Sequence, residues 1–161
     1  MTFQHEPNIQ RRRTSIVSLD DNQEVILVDC FSITQDVLAK LLTNRGYKVT
    51  CLATGKELID HVQERRFELQ LSPKSQLPVV IVEAWLGELS GFDAARVLKD
   101  IVPDLKIIML TCQHSLEEKL ESRIVDKIIM KPVLSEVVDR AIKYVLSLTD
   151  LRYQEDKRVM L

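Results

Sequence analysis

The run VVIVE, residues 79–83, carries four apolar residues straight into a glutamate. Three other apolar runs also end on reactive side chains: ILV before Asp29 and Cys30, IIML before Thr111 and Cys112, and IIM before Lys131 and Pro132. If these runs are strands whose carboxyl ends share one rim, two carboxylates, a hydroxyl and an ammonium converge there. The carboxylates of Asp29 and Glu83 could hold a hard cation, and Thr111 with Lys131 could hold a phosphoryl group. Asp20 and Asp21 precede the first run and would lie at the opposite end. Cys30, Cys112 and His114 add a thiol or soft-metal option, with Asp29 or Glu83 as a further ligand. Packing as small buried hydrophobes explains these two cysteines more simply, and core or edge-strand packing explains Cys51. His114 is most simply a loop residue. Trp85 either covers the rim as a contact anchor or packs partly against the following helix; the sequence leaves both open.

The elements that must position these residues follow from hydrophobic period. Continuous apolar runs at 25–28, 79–82, 106–110 and 127–130 fit strands covered on both faces, and 48–52 alternates like an edge strand. Ser32 with Gln35 has capping-box spacing, Ile33, Val37, Leu38, Leu41 and Leu42 form one helical stripe, and Gly46 ends it. A second helix is expected over 57–66 with Leu58, Ile59 and Val62 inward, and a third over 92–100. Ser115 and Glu118 begin a fourth. The last covers 134–148 with Val137, Val138, Ala141, Ile142 and Val145 inward. The stretch 67–78 is turn-rich, long for such a connection, and expected to bulge from the surface. Alternating strands and helices of this kind predict a doubly wound parallel α/β sheet with helices on both faces. An order 2-1-3-4-5 puts the first and third strands together at the switch point, where ligands bind outside the carboxyl ends.

Composition bounds the rest. With 161 residues, 45% of them hydrophobic and 29% charged, the chain suits one domain with a sizeable core and short tails. A net charge of -2 gives no general attraction to nucleic acid or membrane. No run is long enough to span a bilayer, and the N-terminus lacks a secretory core. Three cysteines suit a reducing, intracellular setting. Residues 1–23 read as a disordered tail and 24–148 as the domain, with 149–161 a helical extension or tail. Within the tail, RRRTS offers Ser15 to a basophilic kinase; a solvated basic run is the simpler reading.

Four stretches together, ILVDC (26–30), IVEAWLGELSG (81–91), IIMLT (107–111) and IIMKP (128–132), resemble the receiver domain of two-component response regulators. The resemblance spans about residues 24–148 and implies a flavodoxin-like fold. In that family the first stretch ends in two acids that hold Mg²⁺, and the third strand ends in an aspartate phosphorylated by a histidine kinase. A threonine and a lysine bind the phosphoryl oxygens, and the Lys-Pro peptide is commonly cis. Carried over, Asp29 matches the first acid, Thr111 the hydroxyl, Lys131 the lysine and Pro132 the cis proline. Cys30 stands in place of the second acid, and Glu83 in place of the acceptor. Ile128 replaces the switch aromatic, Leu86-Gly87 the usual Met-Pro, and Ile124-Val125 the small pair before the fifth strand.

These departures imply a degenerate pseudo-receiver. It would bind Mg²⁺ weakly or not at all and work as a protein-interaction module rather than an enzyme. Glu83 is then either a partial mimic of the phosphorylated state or a plain ion-pair partner of Lys131. The contact face usual in the family is the fourth helix, fifth strand and fifth helix, here including Glu117, Lys119, Lys127, Arg140 and Lys143. Partners would be proteins, a histidine kinase or its pathway components among them, or a second copy in a homodimer. Two rival readings stand beside this one. One is an Mg²⁺-dependent phosphoacceptor using Asp29 and Glu83, and the other a thiol or metal sensor using Cys30 and Cys112.

Overall fold

The computed structural model describes residues 22–113 and 124–159, with side chains as far as residue 149. The tail containing Ser15, the segment with His114, the Ser115–Glu118 pair, Glu117 and Lys119, and the side chains beyond 149 lie outside the described residues. Five strands form one parallel sheet: β1 (Glu24–Val28), β2 (Lys48–Leu52), β3 (Val79–Glu83), β4 (Lys106–Thr111) and β5 (Lys127–Met130). Their order is β2-β1-β3-β4-β5, as expected from the sequence. The helices are α1 (Ser32–Thr43), α2 (Gly55–Glu64), α3 (Arg66–Leu71), α4 (Gly91–Ile101) and α5 (Ser135–Val159).

Strand alternation sorts the apolar runs into two cores. Ile26, Val28, Val80, Val82, Ile107 and Met109 face α2 and α4, where Leu58, Val62 and Leu98 are fully buried. Val25, Leu27, Val79, Ile81, Ile108 and Leu110 face α1 and α5, meeting Leu42, Val138, Ile142 and Val145. Because both faces are covered, the central strands read as unbroken apolar runs rather than alternating ones. β2 is an edge strand, paired only with β1 among the described residues, and its outer residues Lys48 and Cys51 are exposed.

Local chemistry fixes several element ends, and three expectations need correcting. Ser32 and Gln35 do not form a capping box. Phe31 is the N-cap, and the buried Gln35 amide instead donates to the carbonyls of Leu27 (3.1 Å) and Leu52 (2.6 Å). The true box is Thr54–Glu57 at the start of α2: the Thr54 hydroxyl accepts from the Glu57 N–H, and the Glu57 carboxylate accepts from the Ala53 N–H. The stripe on α1 splits, since Leu38 and Leu42 are buried while Ile33, Val37 and Leu41 face out. The 67–78 stretch is not an irregular bulge. It holds most of α3 and a 3-10 turn, Lys74–Gln76, anchored by the buried Leu69 and Leu77.

Gly46 ends α1 as expected. It takes φ +94°, where an added Cβ is strained, and lets Tyr47 N–H reach back to the Leu42 carbonyl at 3.2 Å. The last helix runs well past 148, continuing to Val159 as a single element of 25 residues.

Candidate functional site

Asp29 sits immediately past β1 and is 4% exposed. Its Oδ1 accepts from the Phe31 N–H at 2.9 Å, and its Oδ2 accepts from the Thr34 hydroxyl at 3.2 Å and from Lys131 Nζ at 3.0 Å. Glu83, the last residue of β3, is buried next to it on the rim. Its Oε1 accepts a long hydrogen bond from the Trp85 N–H, 3.4 Å. Its Oε2 is shut away from solvent and contacts the Lys131 ammonium as an ion pair rather than an aligned hydrogen bond. Lys131 therefore lies between two buried carboxylates. Burial by itself would lower its pKa, but the close contacts and negative charges of Glu83 and Asp29 outweigh that and hold it above the ordinary lysine value.

The turn after β3 depends on Gly91. A Cβ there would lie 2.2 Å from the Glu83 carbonyl oxygen, so only glycine allows α4 to begin against the end of β3. Its N–H donates to the Ala84 carbonyl at 2.9 Å. Ser90 caps α4 by accepting from the Asp93 N–H, and Asp93 in turn pairs with Arg96. The S-x-x-D spacing of Ser90 and Asp93 is a cap signal legible in the sequence.

Thr111 ends β4, is 1% exposed, and accepts through its hydroxyl from the Gln113 N–H at 3.0 Å. Its carbonyl accepts from the Lys131 N–H at 2.8 Å, which ties the ends of β4 and β5 together. The Lys131–Pro132 peptide is cis. A cavity of about 520 Å³ opens above this rim, with Glu83, Thr111, Lys131, Cys112, Trp85 and Arg96 among its lining residues. Asp29, Glu83, Thr111 and Lys131 are thus brought to one place. Ile128 lies further back in β5, half-buried against the core on the α2–α4 side.

The cysteines depart from the packing expectation. Cys30, Cys51 and Cys112 are all exposed, because each side chain falls on the rim or the open sheet edge rather than under a helix. Cys30 Sγ approaches the Trp85 carbonyl at 3.7 Å. Trp85 itself is 69% exposed, which settles it as a surface residue rather than one packed under α4.

Both Asp29 oxygens already accept protein donors, Glu83 Oε2 faces an ammonium, and Cys30 offers a thiol that suits softer metals than Mg²⁺. Among the described residues no group of three or more histidines, cysteines and acids is arranged to hold a metal ion.

The family model for the response regulator receiver domain matches residues 25–143. The chain belongs to that family. Receiver domains are signalling modules of two-component systems. Among curated proteins, the receiver domain is 24% identical over 102 residues to the transcriptional regulatory protein ZraR of Escherichia coli O157:H7. That match covers 63% of this chain but only 21% of the relative, and the K12 protein matches equally. The chain therefore spans about a fifth of the curated relatives' length.

Solved structures agree on the fold. A response regulator receiver domain protein from Clostridium thermocellum superposes with TM-score 0.68 at 22% identity, covering 80% of this chain and 98% of that one. The chemotaxis response regulator CheY4 of Vibrio cholerae gives TM-score 0.63 at 22% identity, covering 76% and 98%. Among the described residues no helix is long and apolar enough to cross a membrane.

Proposed function

We propose that this receiver domain signals by protein contact without a phosphorylation cycle, with Glu83 standing where the family carries its acceptor aspartate. The observation that carries this reading is Lys131 held between Asp29 and Glu83. An ammonium paired with both acids offsets one of their two negative charges, part of what a bound cation would otherwise do, so the rim depends less on Mg²⁺. Glu83 is then an internal counter-ion of Lys131. A carboxylate brings about one negative charge and two acceptor oxygens, less than a phosphoryl group offers, so mimicry of the phosphorylated state is at most partial. Ile128 has no hydroxyl with which to act as a switch.

In this reading residues 24–148 form the signalling unit. The domain performs no catalysis, needs no cofactor, and works inside the cell on protein partners, a histidine kinase or its pathway components among them. The partner face joins β5 and α5, where Lys127, Arg140 and Lys143 are exposed and Lys127 lies over the Tyr144 ring at 5.5 Å. Neither nucleic acid nor membrane is a partner.

Trp85 reports on the rim, since it lines the cavity and its N–H touches Glu83. Its fluorescence should stay constant through millimolar Mg²⁺ and added beryllofluoride, while a Glu83→Asp, Cys30→Asp double variant responds. A saturating response in the natural chain would overturn the reading and favour an Mg²⁺-dependent phosphoacceptor. The exposure of Cys30 and Cys112 supports a second reading, a thiol sensor. A thiol titration of the folded protein separates it: that reading needs Cys30 and Cys112 to react far faster than Cys51.

A further inference from the structure

Aromatic rings gather around the rim cavity. The chain has one tryptophan and four phenylalanines, and Trp85, Phe31 and Phe92 all line this one cavity. They come from three separate segments: Phe31 from the turn after β1, Trp85 from the turn after β3, and Phe92 from the first turn of α4. The Cys30 thiol, 3.7 Å from the Trp85 carbonyl, brings the first two turns together. Phe31 and Trp85 are 62% and 69% exposed, although burying rings of this size is among the larger gains open to a fold. At about 520 Å³ the cavity has the size of a small-molecule pocket, whose walls are apolar and aromatic with a few charged groups.

Charge decides which ligand suits such walls. At the floor Asp29 and Glu83, 4% and 5% exposed, share the single ammonium of Lys131, which leaves one negative charge uncompensated. Asp93 and Arg96, also in the lining, cancel each other as an ion pair at 2.9 Å. An anion would enter against that excess. Mg²⁺ has the right sign but requires direct oxygen ligands, which a ring does not supply. An organic ammonium is drawn both to ring faces and to the acid excess, with no coordinating oxygen needed. We propose that the cavity binds a small organic ammonium ion, with Trp85, Phe31 and Phe92 around the cation and Glu83 as the acid beneath it.

This inference deepens the reading of a rim without a phosphorylation cycle and rests on it, since a phosphoryl group at Glu83 would take the same space. A cation seated on Trp85 also bears on the rim's ion pairs. The Trp85 N–H contacts Glu83 Oε1 at 3.4 Å, and Glu83 in turn holds Lys131.

Choline is the probe, titrated into the full chain at constant ionic strength without Mg²⁺ and followed by the fluorescence of Trp85, the chain's one tryptophan. A saturable change with Kd on the order of 1 mM is expected. The uncharged isostere, with carbon in place of the ammonium nitrogen, should bind at least tenfold more weakly. Phe31→Ala should weaken choline about fivefold, and Arg96→Gln, which leaves Asp93 unpaired, should tighten it by a similar factor. Trp85→Ala, followed by saturation-transfer NMR on the choline methyls, should abolish binding. All three side chains are largely exposed, so circular dichroism and Tm should not change. No choline response by fluorescence or NMR overturns the inference; with Mg²⁺ and beryllofluoride also silent, the reading of the rim still stands. A saturating Mg²⁺ response with choline silent overturns both. Equal binding of the isostere, or weaker choline binding by Arg96→Gln, overturns the ammonium class. Choline binding indifferent to Phe31→Ala and Trp85→Ala puts the cation elsewhere and overturns the inference too.

Discussion

At the scale of single residues, the balance between Lys131 and its two acids decides how the rim behaves. Two buried carboxylates and a part-buried ammonium lose hydration on folding, and their mutual attraction offsets that loss only while all three are present. Lys131→Met should therefore destabilise the fold by about 3–5 kcal/mol, because it strands two neighbouring carboxylates away from water. Adding Glu83→Leu to it should restore part of the loss, which urea denaturation of the single and double variants would show. The pKa of Lys131 is raised in the fold, so its contribution is complete below about pH 10.4 and is lost as pH climbs through the folded value. The stability gap between the natural chain and Lys131→Met should accordingly narrow in strong alkali. An unchanged gap there would mean that the ammonium is not what the acids rely on.

At the scale of elements, polar side chains decide where helices dock. The Tyr47 hydroxyl donates to Asp139 Oδ1 at 2.6 Å, Lys143 donates to Oδ2 at 2.8 Å, and Arg45 reaches Glu136 at 3.0 Å. These contacts join the turn after α1 to the first turns of α5. Burial pushes the Asp139 carboxyl up, but hydrogen bonds from Lys143 and Tyr47 and the charges of Lys143 and Arg45 hold it below the usual aspartate range. A depressed carboxyl contributes stability that is complete above its ordinary pKa near 3.9 and disappears as pH falls through the folded value. Asp139→Asn should thus cost stability at pH 7 and lose less than the natural chain on acidification below about pH 4. Thermal unfolding at pH 7 and pH 3 reads both effects; equal acid losses would assign the docking to the apolar contacts of Val138 and Ile142 alone. The same network explains the raised pKa of Tyr47: burial comes first, and Asp139 beside it adds to the effect.

At the scale of the whole molecule, the sheet divides the interior into two cores that share strands but not helices. Leu58 on α2 and Ile142 on α5 are both fully buried, on opposite sides of the sheet. Each should cost about 2–5 kcal/mol on replacement by alanine, from lost transfer energy and an unfilled cavity. With the sheet between them they share no cavity, so the double variant should equal the sum within about 0.5 kcal/mol in urea unfolding. A large departure from additivity would show that the sheet itself shifts when either side is emptied.

The strands, their order and the outline of the rim were legible in the residues. Continuous apolar runs need two covered faces, and parallel strands with helical crossovers bring their carboxyl ends to one side, so Asp29, Glu83, Thr111 and Lys131 could be placed together before any contact was known. Side-chain partners were less legible. Ser32 and Gln35 have capping-box spacing, yet Gln35 is buried and its amide donates to the carbonyls of Leu27 and Leu52 across β1 and β2. Hydrophobic period put five α1 residues on one stripe, but a helix can cover a sheet with only one side. Which of Ile33, Val37 and Leu41 stayed outside was therefore settled by the rotation at which α1 docks. The seat of Lys131 between two acids belongs to the same class, since it depends on distances between segments remote in the chain. Local pattern determined the elements and the residue types at the rim. The tertiary structure alone decided their pairing, because burial and charge compensation are set by what packs across the gap.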